Sequence, residues 1–187
     1  MIRFSEHLFR KGRVLFFLDK DMKNKGFHKK VTRLLHKHGG DIIHSKGFQN
    51  ASGHIQHGNV SVMEHSLRVA RTAVTISRGL KLKVSERDLV RGALLHDYFG
   101  YDWHNKKVGI SDILHFYRMH GFTHPTTALK NAERDFKLTN RQRDIIQKHM
   151  WPLTIKPPAC REAWIVTFAD KVCSLSETLH LNRKNKH

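Results

Sequence analysis

Leu94-Leu95-His96-Asp97 sets an imidazole and a carboxylate side by side at the end of an otherwise apolar stretch. An unpaired carboxylate is costly to bury, so such a group normally finds a counter-charge or binds a cation. Two more polar groups interrupt core-like stripes: His65, close to Leu67 and Val69, and Asp170, inside Phe168-Ala169-Asp170-Lys171-Val172. These four residues offer two nitrogens and two carboxylates. That donor set suits a first-row divalent ion such as Fe, Mn, Co, Ni or Zn, and it can also hold Mg. Composition raises the same question, because 16 of the 187 residues are His and neutral imidazole is the commonest transition-metal ligand.

Each of these groups must be delivered by a regular element, and the periodicity predicts helices. Val62, Leu67, Val69, Ala70, Ala73, Val74 and Ile76 recur near helical spacing from Ser61 and stop at Gly79, which reads as a C-cap. A second helix is expected from an N-cap at Ser85 through Leu89, Val90, Ala93, Leu94 and Leu95, ending near Gly100. A polar, aromatic stretch (Tyr101 to Lys107) and a short helix around Ile110 to Arg118 follow. His124-Pro125 opens another helix to about Phe136, since Pro is best tolerated in a first turn. Thr139 followed by Gln142 is a capping-box pattern that starts a helix through Ile145 and Ile146 to His149, and Pro152 ends it. Pro157-Pro158 are expected to launch a long final helix, with a frayed basic tail after it. Residues 1–50 mix basic residues with short apolar runs and the breakers Gly26, Gly39, Gly40 and Gly47, which suggests two or three short helices. Strand-like alternation is nearly absent. The expected fold is all-α, a single-domain helical bundle.

Length and composition limit the alternatives. At 187 residues the chain is about one domain and long enough for its own core. The longest strongly apolar run, Val14 to Leu18, is far short of the roughly 20 residues that span a bilayer. No membrane partner is therefore expected, and a cytoplasmic location is. Cys160 and Cys173 are the only thiols, too few for a disulfide framework or a zinc knuckle. The 34 Lys and Arg against 16 Asp and Glu give a formal charge of +18. Such a field attracts phosphate esters and other polyanions. The excess is spread along the chain, and no sequence motif for nucleic-acid binding accompanies it, so nucleic acid stays open as a partner on charge alone.

His65, His96-Asp97 and Asp170, in that order and each on its own helix, resemble the HD superfamily of metal-dependent phosphohydrolases. Ser61-Val62-Met63-Glu64-His65-Ser66-Leu67-Arg68-Val69-Ala70 is similar to that family's first motif, Leu94-Leu95-His96-Asp97 to its second, and Phe168-Ala169-Asp170-Lys171 to its last. The resemblance implies an HD domain over residues 55–180, a basic helical N-terminal extension (1–54) packed on it, and a basic tail (181–187). His124 and His149 fall where binuclear members carry two further imidazoles. The resemblance thus implies His65, His96, Asp97 and Asp170 around one ion, and Asp97, His124 and His149 around a second, with Asp97 as the bridge. His96 and Asp97 would then be the catalytic pair. His120 competes with His124 for its place, and His124 is preferred because the Pro-started helix fixes its backbone while Gly121 loosens the stretch around His120. His57, His120 and Lys171 are candidate substrate contacts. The chain departs from the family in following the His-Asp pair with Tyr98-Phe99-Gly100, where many members have Ile-Gly-Lys with a phosphate-contacting lysine. It also lacks the Gly-Tyr-Pro signature of the cyclic-di-GMP phosphodiesterases.

The function implied is hydrolysis of a phosphate ester or phosphoanhydride by metal-activated water, with a nucleotide as the expected substrate. The pattern is similar to that of the single-domain bacterial hydrolases of diadenosine tetraphosphate. Two other classes stay open. A smaller branch of the superfamily uses the same ligands to hold two irons and act as an oxygenase. An inactive relative would be a nucleotide- or RNA-binding module, although the complete six-residue set argues against a relic.

Overall fold

A computed structural model describes residues 25–57, 60–98 and 124–184 of the chain. The expectations for residues 1–24, for the stretch from Tyr101 to Lys107, for the short helix around Ile110 to Arg118 and for His120 lie outside the described residues. The fold is all-α apart from two very short strands.

The first described helix, α1 (Lys25–Ile43), buries Val31, Leu35, Gly39 and Ile42, an i, i+4, i+8, i+11 stripe along one face. Gly39 does not break it. A Cβ at that position would run into the Leu94 side chain and come within 3.3 Å of Val90 Cγ1, so the glycine is where α1 approaches the core most closely. A short helix, α2 (Lys46–Asn50), starts at Ser45, whose hydroxyl accepts from Phe48 N at 3.2 Å, and it buries Phe48. Strands β1 (Ile55–His57) and β2 (Val60–Ser61) pair antiparallel and lead into α3 (Val62–Gly79).

Ser61 and Glu64 close a reciprocal capping box at the start of α3. Gly79 belongs to the last turn instead of capping it; the cap is Leu80, and the left-handed residue is Lys81, with φ of 51°. Helix α4 (Glu86–Leu95) starts at Ser85 as expected and is buried along nearly its whole length. It is the central helix, in contact with α1 and α3 and with two later helices, α6 (Asn140–Lys148) and α7 (Arg161–Lys184). It stops at Leu95, earlier than Gly100, where the backbone tightens into a turn closed by Tyr98 N–H on Leu95 O at 3.2 Å, and the His96 ring Nδ1–H donates to Ala93 O at 2.8 Å.

Between α4 and α6 lies α5 (residues 124–135), opened by His124-Pro125. Helix α6 carries the expected Thr139–Gln142 capping box. The same two side chains donate to Asp88 Oδ1, at 2.9 and 2.7 Å, which locks the starts of α4 and α6 together. The last helix begins three residues beyond Pro158, since Asp144 Oδ2 first takes the amides of Ala159 (2.8 Å) and Cys160 (3.1 Å). It continues to Lys184, past the tail boundary anticipated at residue 181. Thr72 meets Cys173 and His65 meets Glu177, so later residues of α3 face earlier residues of α7 and the two helices run antiparallel.

Candidate metal centre

Two helix interiors and three helix ends converge on one buried point. His65 comes from the second turn of α3, on the face that also buries Val69 and Ala73. His96 and Asp97 leave the C-terminal end of α4, and His124 opens α5. His149 is the C-cap of α6. Asp170 sits on the buried 3–4 stripe of α7, with Ala163, Val166, Cys173 and Glu177.

His65 Nε2 lies 3.1 Å from Asp170 Oδ1 and 3.8 Å from Asp97 Oδ2. His96 Nε2 lies 3.2 Å from Asp97 Oδ2 and 3.7 Å from Asp170 Oδ1. On the other side of the same carboxylate, Asp97 Oδ1 is 3.2 Å from His124 Nε2 and 3.3 Å from His149 Nε2, and those two nitrogens are 3.0 Å apart. Ligand atoms sharing one ion at bonds of about 2.0–2.2 Å stand about 3–3.5 Å from one another, with wider separations across the ion. The observed spacings fall in that range. Two groups result, His65–His96–Asp170 and Asp97–His124–His149, each with its ligand atoms within 4.8 Å of one another.

The donor atoms are prepared for a cation. His96 Nδ1–H is taken by Ala93 O, which leaves the buried Nε2 facing Asp97 Oδ2 and Asp170 Oδ1. His149 repeats the arrangement, donating Nδ1–H to Ile146 O at 2.8 Å. Fixing the outer nitrogen in this way turns the inner one, with its lone pair, toward the centre. His65 uses a side chain for the same purpose: its Nδ1–H donates to Glu177 Oε2 at 3.0 Å. Burial alone would raise the pKa of Asp97, but the facing His96 and hydrogen bonds from His124, His149 and His96 hold it well below the usual carboxylate range. Burial likewise works against ionised Asp170, and hydrogen bonds from His65 and His96 outweigh it. His96 is raised well above the ordinary imidazole value, the facing carboxylates overcoming its burial. His65 is raised to about 9, since its hydrogen bonds to Asp170 and Glu177 overcome the same penalty. The anionic oxygens thus hold protons on His65 and His96, whereas burial lowers His149, and a divalent cation would replace that positive charge. The donor set fits such an ion.

All six residues expected to meet at the site do so. Lys171 stands beside it, its ammonium donating to His149 O at 3.4 Å. His57 ends β1 with its side chain outside the described set, as is His120. Sequence reasoning missed Glu177, whose signal was its place two turns after Asp170 on the same helix face.

No curated protein and no solved structure matches the chain significantly. Residues 62–175 match the family described as the HD domain, a stretch that covers more than half of the chain and contains all six converging side chains. On that match, and on the His, His-Asp and Asp groups brought together by its helices, the chain belongs to the HD-domain family.

Proposed function

We propose that the protein is a metal-dependent phosphohydrolase that uses two divalent ions and acts on a phosphate ester or phosphoanhydride of the nucleotide class. HD domains are generally metal-dependent hydrolases, which supports the class of reaction. The observation that carries the two-ion reading is the Asp97 carboxylate, with Oδ2 turned to His96 at 3.2 Å and Oδ1 turned to His124 and His149 at 3.2 and 3.3 Å. His65, His96 and Asp170 would hold one ion, His124 and His149 the other, and Asp97 both. Bound there, the ions would supply Lewis acidity toward phosphoryl oxygens and the acidification of water to a nucleophile near neutral pH.

The chain's own residues do the rest. The backbone carbonyls of Ala93 and Ile146 and the Glu177 carboxylate hold three imidazoles in one tautomer, so no reorganisation is needed when substrate arrives. Burial of His65, His96, Asp97 and His149 keeps bulk water from the rear of the site. The partly exposed side chains are those of His124 (14%) and Asp170 (11%), and they mark the side from which substrate reaches it. Lys171, whose ammonium lies against the backbone of the ligand His149, is the lysine proposed to meet a phosphate, and the formal charge of +18 favours an anionic substrate.

The test is elemental analysis of the purified chain together with a phosphate-release screen over mono-, di- and triphosphate nucleotides and dinucleoside polyphosphates, with Mn, Co, Ni, Zn, Mg and Fe supplied in turn. Phosphate release that follows metal loading supports the proposal. An iron pair that consumes dioxygen and frees no phosphate overturns it in favour of an oxygenase, and tight nucleotide binding without turnover would point to a binding module.

A further inference from the structure

Glu177 lies two residues beyond the stretch that matches the HD family, yet its carboxylate is as deeply buried as the proposed ligands, its side chain 1% exposed. One oxygen, Oε2, accepts from His65 Nδ1 at 3.0 Å; the other, Oε1, is 3.5 Å from the guanidinium of Arg68, a side chain that is itself half exposed. The ion pair is too long and too wet to account for burying a carboxylate there. The hydrogen bond to His65 does account for it. His96 and His149, by contrast, are oriented by neutral carbonyls of their own helices.

The two halves of the centre are therefore unequal. The half built by His65, His96 and Asp170 has a carboxylate of its own, a share of Asp97 and a second carboxylate one imidazole away. Among the described residues, the half built by His124 and His149 has two imidazoles and a share of Asp97. A carboxylate behind a ligating imidazole fixes its tautomer, raises its basicity and adds negative charge close to the ion. We propose that Glu177 is a positioning residue for His65, and that it makes the His65–His96–Asp170 pocket the tighter of two ion sites, filled first and emptied last. This inference rests on the two-ion reading above.

The test is a titration of the full chain, freed of metal by chelation, with Co²⁺, followed by visible absorption and by cobalt retained after gel filtration. The wild-type chain should take its first equivalent at least about tenfold more tightly than its second. Glu177→Gln, which keeps an oxygen acceptor but removes the charge, should weaken the first equivalent by about 10–100-fold and shift its absorption, with the second unchanged. Glu177→Ala should weaken it at least as much, while Arg68→Ala should leave the first equivalent as in wild type. Thermal unfolding of each metal-free variant establishes that it is folded, and Glu177→Gln decides should the alanine variant not fold. If cobalt binds and both Glu177 variants take the first equivalent as wild type does, or if both equivalents weaken alike, the asymmetry is wrong and the two-ion reading stands. A wild-type chain that binds no cobalt overturns both.

Discussion

Asp97 offers one oxygen to each half of the centre, and no other described side chain does so. Asp97→Ala should therefore lower phosphate release by at least about 10²-fold and reduce bound metal from about two ions per chain, because the clamp on attacking and leaving oxygens needs both. Far-ultraviolet circular dichroism should keep its helical shape; near-normal turnover in that variant would refute the bridging role. His124→Ala or His149→Ala should take the metal content toward one ion per chain, and unchanged content in both would leave the second half without support. The site also sets a pH dependence. With its folded pKa raised to about 9 against 6.5 in the unfolded chain, protonated His65 stabilises the metal-free fold fully below pH 6.5, and that contribution is lost as pH rises through about 9. His96, raised by its facing carboxylates, acts in the same direction. The Tm of metal-free protein should fall across that window, and metal loading should release protons and reduce the fall. A metal-free Tm that rises over the same range would contradict this.

The helices are joined by contacts that can be tested one at a time. A Cβ on Gly92 would strike the Ile145 side chain, with Ile145 Cγ2 at 2.9 Å and the branching Cβ at 3.0 Å, so neither helix can yield by a simple rotamer change. In an exposed helix, Gly→Ala stabilises by roughly 0.5–1 kcal/mol. Here the sign reverses, and Gly92→Ala should cost about 1–3 kcal/mol in denaturant unfolding through overpacking between α4 and α6. Asp88 joins the same two helices by accepting from Thr139 and Gln142. Burial works against its charge, but hydrogen bonds from Ser85, Thr139 and Gln142 hold its pKa below the ordinary value. Asp88→Ala leaves these donors unmatched and should cost about 1–3 kcal/mol at pH 7. Because the shift is downward, the wild-type advantage is present above the unfolded carboxylate pKa and disappears as pH falls through the lower folded one. A variant whose deficit stayed constant into strong acid would show that the charge is not what matters.

At the scale of the molecule the dominant feature is charge. The formal +18 is displayed in part along α1, where Lys25, Lys29, Lys30, Arg33 and Lys37 are all exposed. Its one exposed acid, Asp41, is engaged by Arg91, whose Nη1 donates to both carboxylate oxygens at 2.6 and 2.8 Å. Such a field raises the local concentration of an anionic substrate, and salt weakens it. Between about 0.01 M and 0.1 M salt the screening length drops from about 30 to about 10 Å, so KM should rise several-fold with kcat unchanged. A flat KM would assign the basic surface to solubility or to a separate partner.

What local sequence determined is what a few neighbouring residues decide among themselves. Ser85 and the Thr139–Gln142 box cap the helices they were read to cap, because a cap needs only its own first turn. His65, His96-Asp97 and Asp170 stood out because each is a polar group set in an apolar helical stripe. The tertiary structure decided what depends on partners far along the chain. Gly39 reads as a breaker, yet it lies inside a helix because Leu94 packs where its side chain would be. Glu177, within Leu175-Ser176-Glu177-Thr178, looks like an ordinary solvated position, and only the antiparallel packing of α3 on α7 buries it behind His65. The pairing of Asp97 with imidazoles from α3, α5 and α6 likewise follows from how the helices cross, and periodicity, a property of single helices, does not encode it.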